Sequence, residues 1–193
     1  MRILSWKETL VAAGKTQGWF QSIKRRNQAP LPWGGVQDMP RGLYTEVDAV
    51  ALALVGKLSS GPELTRAAWL LTFHGDAWLQ AVSEAEQTDQ SVYLLYFEFR
   101  GGGYNIGHTT LEKMGTLEGY KGKVPSFMIW INMTEILDDI RINAKKAGFD
   151  LSAPFLPPPD DPRFGELVGE RRVAREKAFA MIREEQDAPR ASA

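Results

Sequence analysis

Ser5-Trp6-Lys7-Glu8-Thr9-Leu10-Val11-Ala12-Ala13-Gly14-Lys15-Thr16-Gln17-Gly18-Trp19-Phe20-Gln21-Ser22-Ile23-Lys24-Arg25-Arg26, residues 5–26, reads as two short helices joined by a tight turn. Ser5 and Glu8 stand at capping-box spacing, so each can satisfy a backbone N–H that the first helical turn leaves unpaired. The amphipathic stretch they open runs to Ala13, where Gly14 supplies a residue able to take the left-handed conformation of a helix stop. Thr16 then caps a second helix that extends to about Arg26. Trp19, Phe20 and Ile23 form its apolar stripe. Lys24, Arg25 and Arg26 lie where positive charge complements the C-terminal end of the helix dipole.

Moving outward, Ala29-Pro30-Leu31-Pro32-Trp33-Gly34-Gly35 cannot be helical, since two prolines and two glycines interrupt it, and a loop or β-hairpin is expected up to about Tyr44. Thr45 with Asp48 opens a third helix whose apolar positions are Val47, Val50, Ala51, Leu54, Val55 and Leu58. Ser60-Gly61-Pro62-Glu63 repeats the start signal ahead of Leu64, Ala67, Ala68 and Leu71. Charge is unevenly spread over this region. The chain as a whole carries −1, yet residues 1–41 hold Arg2, Lys7, Lys15, Lys24, Arg25, Arg26 and Arg41 against Glu8 and Asp38 alone. A basic segment on an acidic body is the electrostatic footprint of a nucleic-acid-binding module, because attraction to phosphate supplies most non-specific affinity.

The order helix, turn, helix, hairpin, helix resembles the MerR-type winged-helix superfamily over residues 4–72. Leu10-Val11-Ala12-Ala13-Gly14-Lys15-Thr16 is similar to that family's first-helix end and glycine turn. Arg41-Gly42-Leu43-Tyr44-Thr45-Glu46-Val47-Asp48, followed by Leu54 and Leu58, is similar to its wing exit, in which Arg-x-Tyr-Ser/Thr-x-x-Asp introduces the next helix. Excisionase-like and AlpA-like domains share the same scaffold and fit the proline-containing loop nearly as well. The chain departs from the family at Gln17, Gly18 and Ser22, where a small apolar residue, Arg and an aromatic are commoner.

The resemblance implies a second helix seated in the major groove of duplex DNA. Lys15, Thr16, Gln17, Gln21 and Ser22 would lie at its start or on the face opposite Trp19, Phe20 and Ile23. Gln17 and Gln21 are the expected base readers, since a side-chain amide pairs bidentately with adenine. Lys24, Arg25 and Arg26 would hold phosphates, joined by Arg41 from the wing. Trp19, Phe20 and Tyr44 are expected in the core.

The remainder has a different texture. A helix is expected over about Asp76–Glu86, then a strand over Ser91–Arg100, rich in β-branched and aromatic residues and ending at Gly101-Gly102-Gly103. A second strand, Phe127 to Met133, leads into a helix started by Asn132 and Glu135 and stopped at Gly148. In the first strand both the Tyr93, Leu95, Phe97, Phe99 face and the Val92, Leu94, Tyr96 face are apolar. Burial of both is therefore expected, with a dimer interface as one way to complete the core. Residues 151–163, with Pro154, Pro157, Pro158, Pro159 and Pro162, read as a stiff linker that sets a charged helix and tail, residues 164–193, with the helix running to about Gln186, apart from the body. Within that helix Leu167, Ala174 and Met181 recur by sevens and make a short seam that Arg171 and Arg175 interrupt.

The fold class expected is thus α+β: a winged helix-turn-helix over 1–72, a small α+β domain over 73–150, the linker and the terminal helix. With 193 residues, 44% of them hydrophobic, the chain is long enough for one sizeable domain or two small ones. The absence of cysteine excludes disulfides, thiolate metal sites and cysteine nucleophiles. His74 and His108 stand apart from any metal-ligand or triad pattern, and Gly101–Gly107 lacks the Gly-Lys-Ser/Thr ending of a phosphate loop, so no enzyme, cofactor or metal is expected. No signal peptide or membrane span is legible. The expectation is a cytoplasmic, nucleoid-associated transcriptional regulator that binds double-stranded DNA as a homodimer, with a possible protein partner at the C-terminal region. The competing expectation is an excisionase-like, architectural or packaging DNA-binding protein of a mobile element that recruits a protein partner.

Overall fold

The capping signals at Ser5, Thr16, Thr45 and Asn132 all open helices in the computed structural model, which describes residues 2–25, 44–59, 73–100, 103–110, 112–113 and 125–169, with positions 67, 70, 71, 173, 176 and 180. The chain begins with β1 (Ile3–Leu4), α1 (Trp6–Ala12) and α2 (Gln17–Arg25), and resumes with β2 (Tyr44–Thr45) and α3 (Glu46–Leu58). There follow α4 (Gly75–Gln87), β3 (Val92–Phe99), β4 (Tyr104–Thr110), β5 (Pro125–Asn132), α5 (Met133–Lys146) and a terminal helix, α6, over 162–169. The architecture is α+β. The expected hairpin over 30–43 lies outside the described residues, as does the start signal at 60–63, although Ala67, Leu70 and Leu71 beyond it are helical and buried.

Local chemistry accounts for each boundary. Ser5 Oγ accepts from the Glu8 backbone N–H (3.2 Å) while the Glu8 carboxylate accepts from the Ser5 N–H (2.7 Å), a complete capping box. At the other end of α1, Gly14 takes φ +64°, its N–H donates to the Val11 carbonyl, and the Lys15 N–H donates to the Leu10 carbonyl at 2.8 Å. Those two bonds close a Schellman motif and leave the chain pointing into α2. The same device ends α5: Gly148 at φ +86° donates to Lys145, and Phe149 donates to Ala144. Thr45 N–H and hydroxyl both reach Asp48 Oδ2, at 2.8 and 3.0 Å, and so start α3.

Two small sheets organise these helices. β1 and β2 pair antiparallel, Ile3 opposite Thr45 and Leu4 opposite Tyr44, which brings the beginning of the chain to the residues that introduce α3. The second sheet has the order β4-β3-β5, antiparallel throughout. The sequence suggests a flexible hairpin over Gly101–Gly107, and the extent of β4 goes beyond it, although Tyr104-Asn105-Ile106-Gly107-His108-Thr109-Thr110 is largely polar and its period is weak. The segment becomes a strand because the turn after Phe99 returns the chain alongside β3, whose open edge supplies a full ladder from Val92–Thr110 to Glu98–Tyr104.

One continuous hydrophobic core crosses the expected boundary near residue 72. Leu10 and Ala12 of α1, Leu54 and Leu58 of α3, Trp78 and Leu79 of α4, Leu94 and Tyr96 of β3, and Ile136 and Ile140 of α5 belong to a single buried cluster. Residues 151–163 differ from the expected free spacer. Prolines keep the segment extended, but Leu151, Phe155 and Leu156 are buried in that cluster, Arg141 stacks over the Phe155 ring at 4.8 Å, and Phe164 anchors the start of α6. The segment is a strap, because three apolar side chains gain more from burial than the chain gains from freedom at positions proline has already stiffened. Leu95 (1% exposed) and Phe97 (0%), on the opposite face of β3 from Leu94 and Tyr96, are also buried. Both faces of β3 are therefore covered within one chain, and a second copy is not needed for that purpose.

Two outcomes follow from the caps. Replacing Gly14 with Ala forces a Cβ into a left-handed backbone and places it 3.4 Å from Asn143 Nδ2; a loss of about 1–2 kcal/mol is expected in urea denaturation. The Ser5 hydroxyl and backbone N–H hold the Glu8 carboxyl below its ordinary 4.5. Its contribution is therefore complete above pH 4.5 and fades as the pH falls through the depressed value, and Glu8→Gln should flatten that part of the stability curve.

Candidate nucleic-acid interface

α2 is held by its apolar side and by its cap. Thr16 Oγ1 accepts from the Trp19 N–H at 3.1 Å, which fixes the first turn. Phe20 is buried, and its ring meets Trp6 of α1 edge-on with centroids 4.0 Å apart; Trp6 also meets Tyr44 at 5.0 Å. One indole thus joins the first helix, the second helix and the strand that introduces the third. Trp19 and Tyr44 are partly buried against the same core.

With Phe20 turned inward, Gln17 and Gln21, one helical turn apart, are exposed, as are Thr16 and Gly18, while Ser22 is half-buried. The two glutamines therefore share an exposed face of α2 among the described residues. Lys24 and Arg25 occupy the last turn of α2. Arg26 and Arg41 lie outside the described residues.

Lys15 is the member of the predicted set whose setting differs most from a simple phosphate contact. Its side chain folds back across α3 at Gly56, where a Cβ would stand 2.0 Å from Lys15 Nζ and 2.6 Å from Cε. The ammonium lies 5.1 Å from the Trp19 ring centroid, a cation–π arrangement. Burial, and then the charge of Lys57, push the Lys15 pKa below its ordinary 10.5. Lys15 and Lys57 line a cavity of about 190 Å³ together with Ala12, Gly14, Asp139 and Asn143. Asn143 Nδ2 also donates to the Ala12 carbonyl at 3.2 Å, so α5 is fastened to the turn that precedes α2.

Lys57 was missed by sequence reasoning. It reads as an ordinary favourable charge in the last turn of a helix, and only the packing of α1 against α3 brings it to Lys15. His108 and His74 acquire neighbours in the same way. His108 Nε2 sits 3.3 Å from Glu84 Oε2 on α4, and burial holds its pKa below 6.5 against the opposing pull of Glu84. His74 meets the Tyr104 ring edge-on at 5.6 Å. Asp138 and Asp139 are exposed on α5, with Asp138 near Arg141 at 3.7 Å.

No protein-family model and no curated protein matches the chain. Among the described residues no helix is long and apolar enough to cross a membrane.

The packing of Lys15 over Gly56 is directly testable. Gly56→Ala should expel the Lys15 ammonium into water, and its pKa, followed by NMR titration of the lysine side chain, should rise toward 10.5. An unchanged titration would mean that the lysine does not lie on α3 in solution.

Proposed function

We propose that the chain is a DNA-binding transcriptional regulator of winged helix-turn-helix type, acting as a homodimer, with α2 as the helix that enters the major groove. The observation that carries this reading is the pairing of a short, capped α2, pinned by Phe20 against Trp6, with an exposed Gln17–Gln21 face and a cationic end. A helix of this length fits a major groove, and two amides a turn apart can reach neighbouring base edges. Thr16 lends its hydroxyl to the cap, so in this reading it orients the helix. The local excess of basic residues over 1–41 supports phosphate contact by Lys24, Arg25, Arg26 and Arg41, with the acidic remainder of the chain turned away from DNA.

Lys15 takes a secondary part. Half-buried on Gly56 and Trp19, it contributes positive potential near the start of α2 and braces that helix against α3.

Binding of the full chain to selected and random duplexes, measured across salt concentrations, tests the proposal. Substituting Ala at Lys24, Arg25 and Arg26 together should weaken binding to all sequences and lower the slope of log K against log salt by about 2 to 3. Gln17→Ala or Gln21→Ala should instead reduce discrimination at one or two base pairs by about 1–3 kcal/mol. If the triple variant binds as the parent does, α2 is not the DNA-contacting helix.

A further inference from the structure

The cavity of about 190 Å³ between the Gly14 turn, α3 and α5 is built from two kinds of residue. Ala12, Ala13, Ala53, Ile136 and Ile140 give it apolar walls, while Lys15, Lys57 and Asp139 are its ionisable groups. Two positive charges thus stand against one negative, and the aspartate is exposed on α5. Lys15 is the unbalanced member. Its half-buried ammonium carries three N–H donors, and among the described residues no acceptor or carboxylate lies within hydrogen-bond or ion-pair distance of it. Its neighbours are instead the Trp19 ring, at 5.1 Å, and a second ammonium: burial, and then the charge of Lys57, hold Lys15 below its ordinary 10.5. A partly desolvated ammonium beside a like charge is costly, and an anion that accepts from both lysines removes that cost.

We propose that this cavity binds a small organic monocarboxylate, with its carboxylate between the Lys15 and Lys57 ammoniums and its apolar body against Ala53, Ile136 and Ile140. Three features select that chemistry. The surplus of one positive charge matches a monoanion, whereas inorganic phosphate carries more charge than the surplus and would bring it toward Asp139. The walls are apolar, which favours a ligand with a carbon body over a fully hydrated ion. The size is adequate, since a cavity of about 150 Å³ is enough to hold benzene. The site goes beyond the DNA-binding reading and does not rest on it.

Titration of the full chain with sodium benzoate, without DNA and at constant ionic strength, is the test, followed by calorimetry and by NMR of the lysine side chains. The Lys15 and Lys57 signals should shift together and saturate, and the Lys15 pKa should rise toward 10.5 as the site fills. Lys57→Gln, at an exposed position, should raise the benzoate dissociation constant at least about tenfold, as should Lys15→Gln. Lys113→Gln, at a lysine that does not line the cavity, should leave it unchanged, and Asp139→Asn should tighten binding. Shifts that fail to saturate overturn the proposal, as do phosphate binding as tight as benzoate binding, a folded Lys57→Gln variant that binds as the parent does, or weaker binding by Asp139→Asn. Should Lys15→Gln lose its thermal transition, Lys57→Gln decides alone. Benzoate binding by a chain without DNA affinity would sink the functional reading and leave this one standing, and DNA binding without a benzoate site would do the reverse.

Discussion

The left-handed turn at Gly14 is the constraint on which the amino-terminal half depends. α1 has only seven residues, too few to persist on its own helical propensity, so its direction and that of α2 must be imposed by caps and by packing. The Schellman bonds from Gly14 and Lys15 set the angle of departure, and Asn143 grips the Ala12 carbonyl from outside, so the turn is held from both its own chain and α5. Trp6 then depends on that angle, since with α2 leaving in this direction its indole meets both Phe20 and Tyr44.

Because α5 holds that turn, the two halves of the chain are mechanically joined. The Arg141 guanidinium meets Glu86 on α4 at 2.7 and 2.8 Å, and stacks on Phe155 of the strap. Ser83 Oγ donates to the Pro157 carbonyl at 3.4 Å, a further tie between α4 and the strap. One helix, α5, thus contacts α4, the strap and the turn that precedes α2.

The electrostatics divide along the same line. Residues 1–41 carry a surplus of cations and the remainder a surplus of acidic residues, so the charge of the chain is unevenly spread along its sequence. Lys15 stands between these roles. Its partial burial beside Lys57 is costly for a charged amine, and the Trp19 ring and the cavity's polar lining offset part of that cost. The arrangement shows that a lysine just before a helix cap can be spent on packing against a neighbouring helix.

How much of this was legible in the residues depends on range. Caps, turns and helix extents are local, and Ser5–Glu8, Gly14, Thr45–Asp48, Asn132 and Gly148 announced them because each motif satisfies backbone groups within a few residues of itself. The Gln17–Gln21 face was likewise readable, since burying Phe20 leaves only one side of a helix for polar residues. What the amino-acid sequence by itself determined, then, is the α+β alternation, the two-helix opening and the placement of its charges. Tertiary structure alone decided that β4 is a strand, that residues 151–163 are a strap, that one core spans both halves, and that Lys15 lies over Gly56 beside Lys57. Those features depend on partners far along the chain, an open strand edge, an apolar groove, a missing Cβ, and no local pattern encodes a surface that exists only once distant elements have packed.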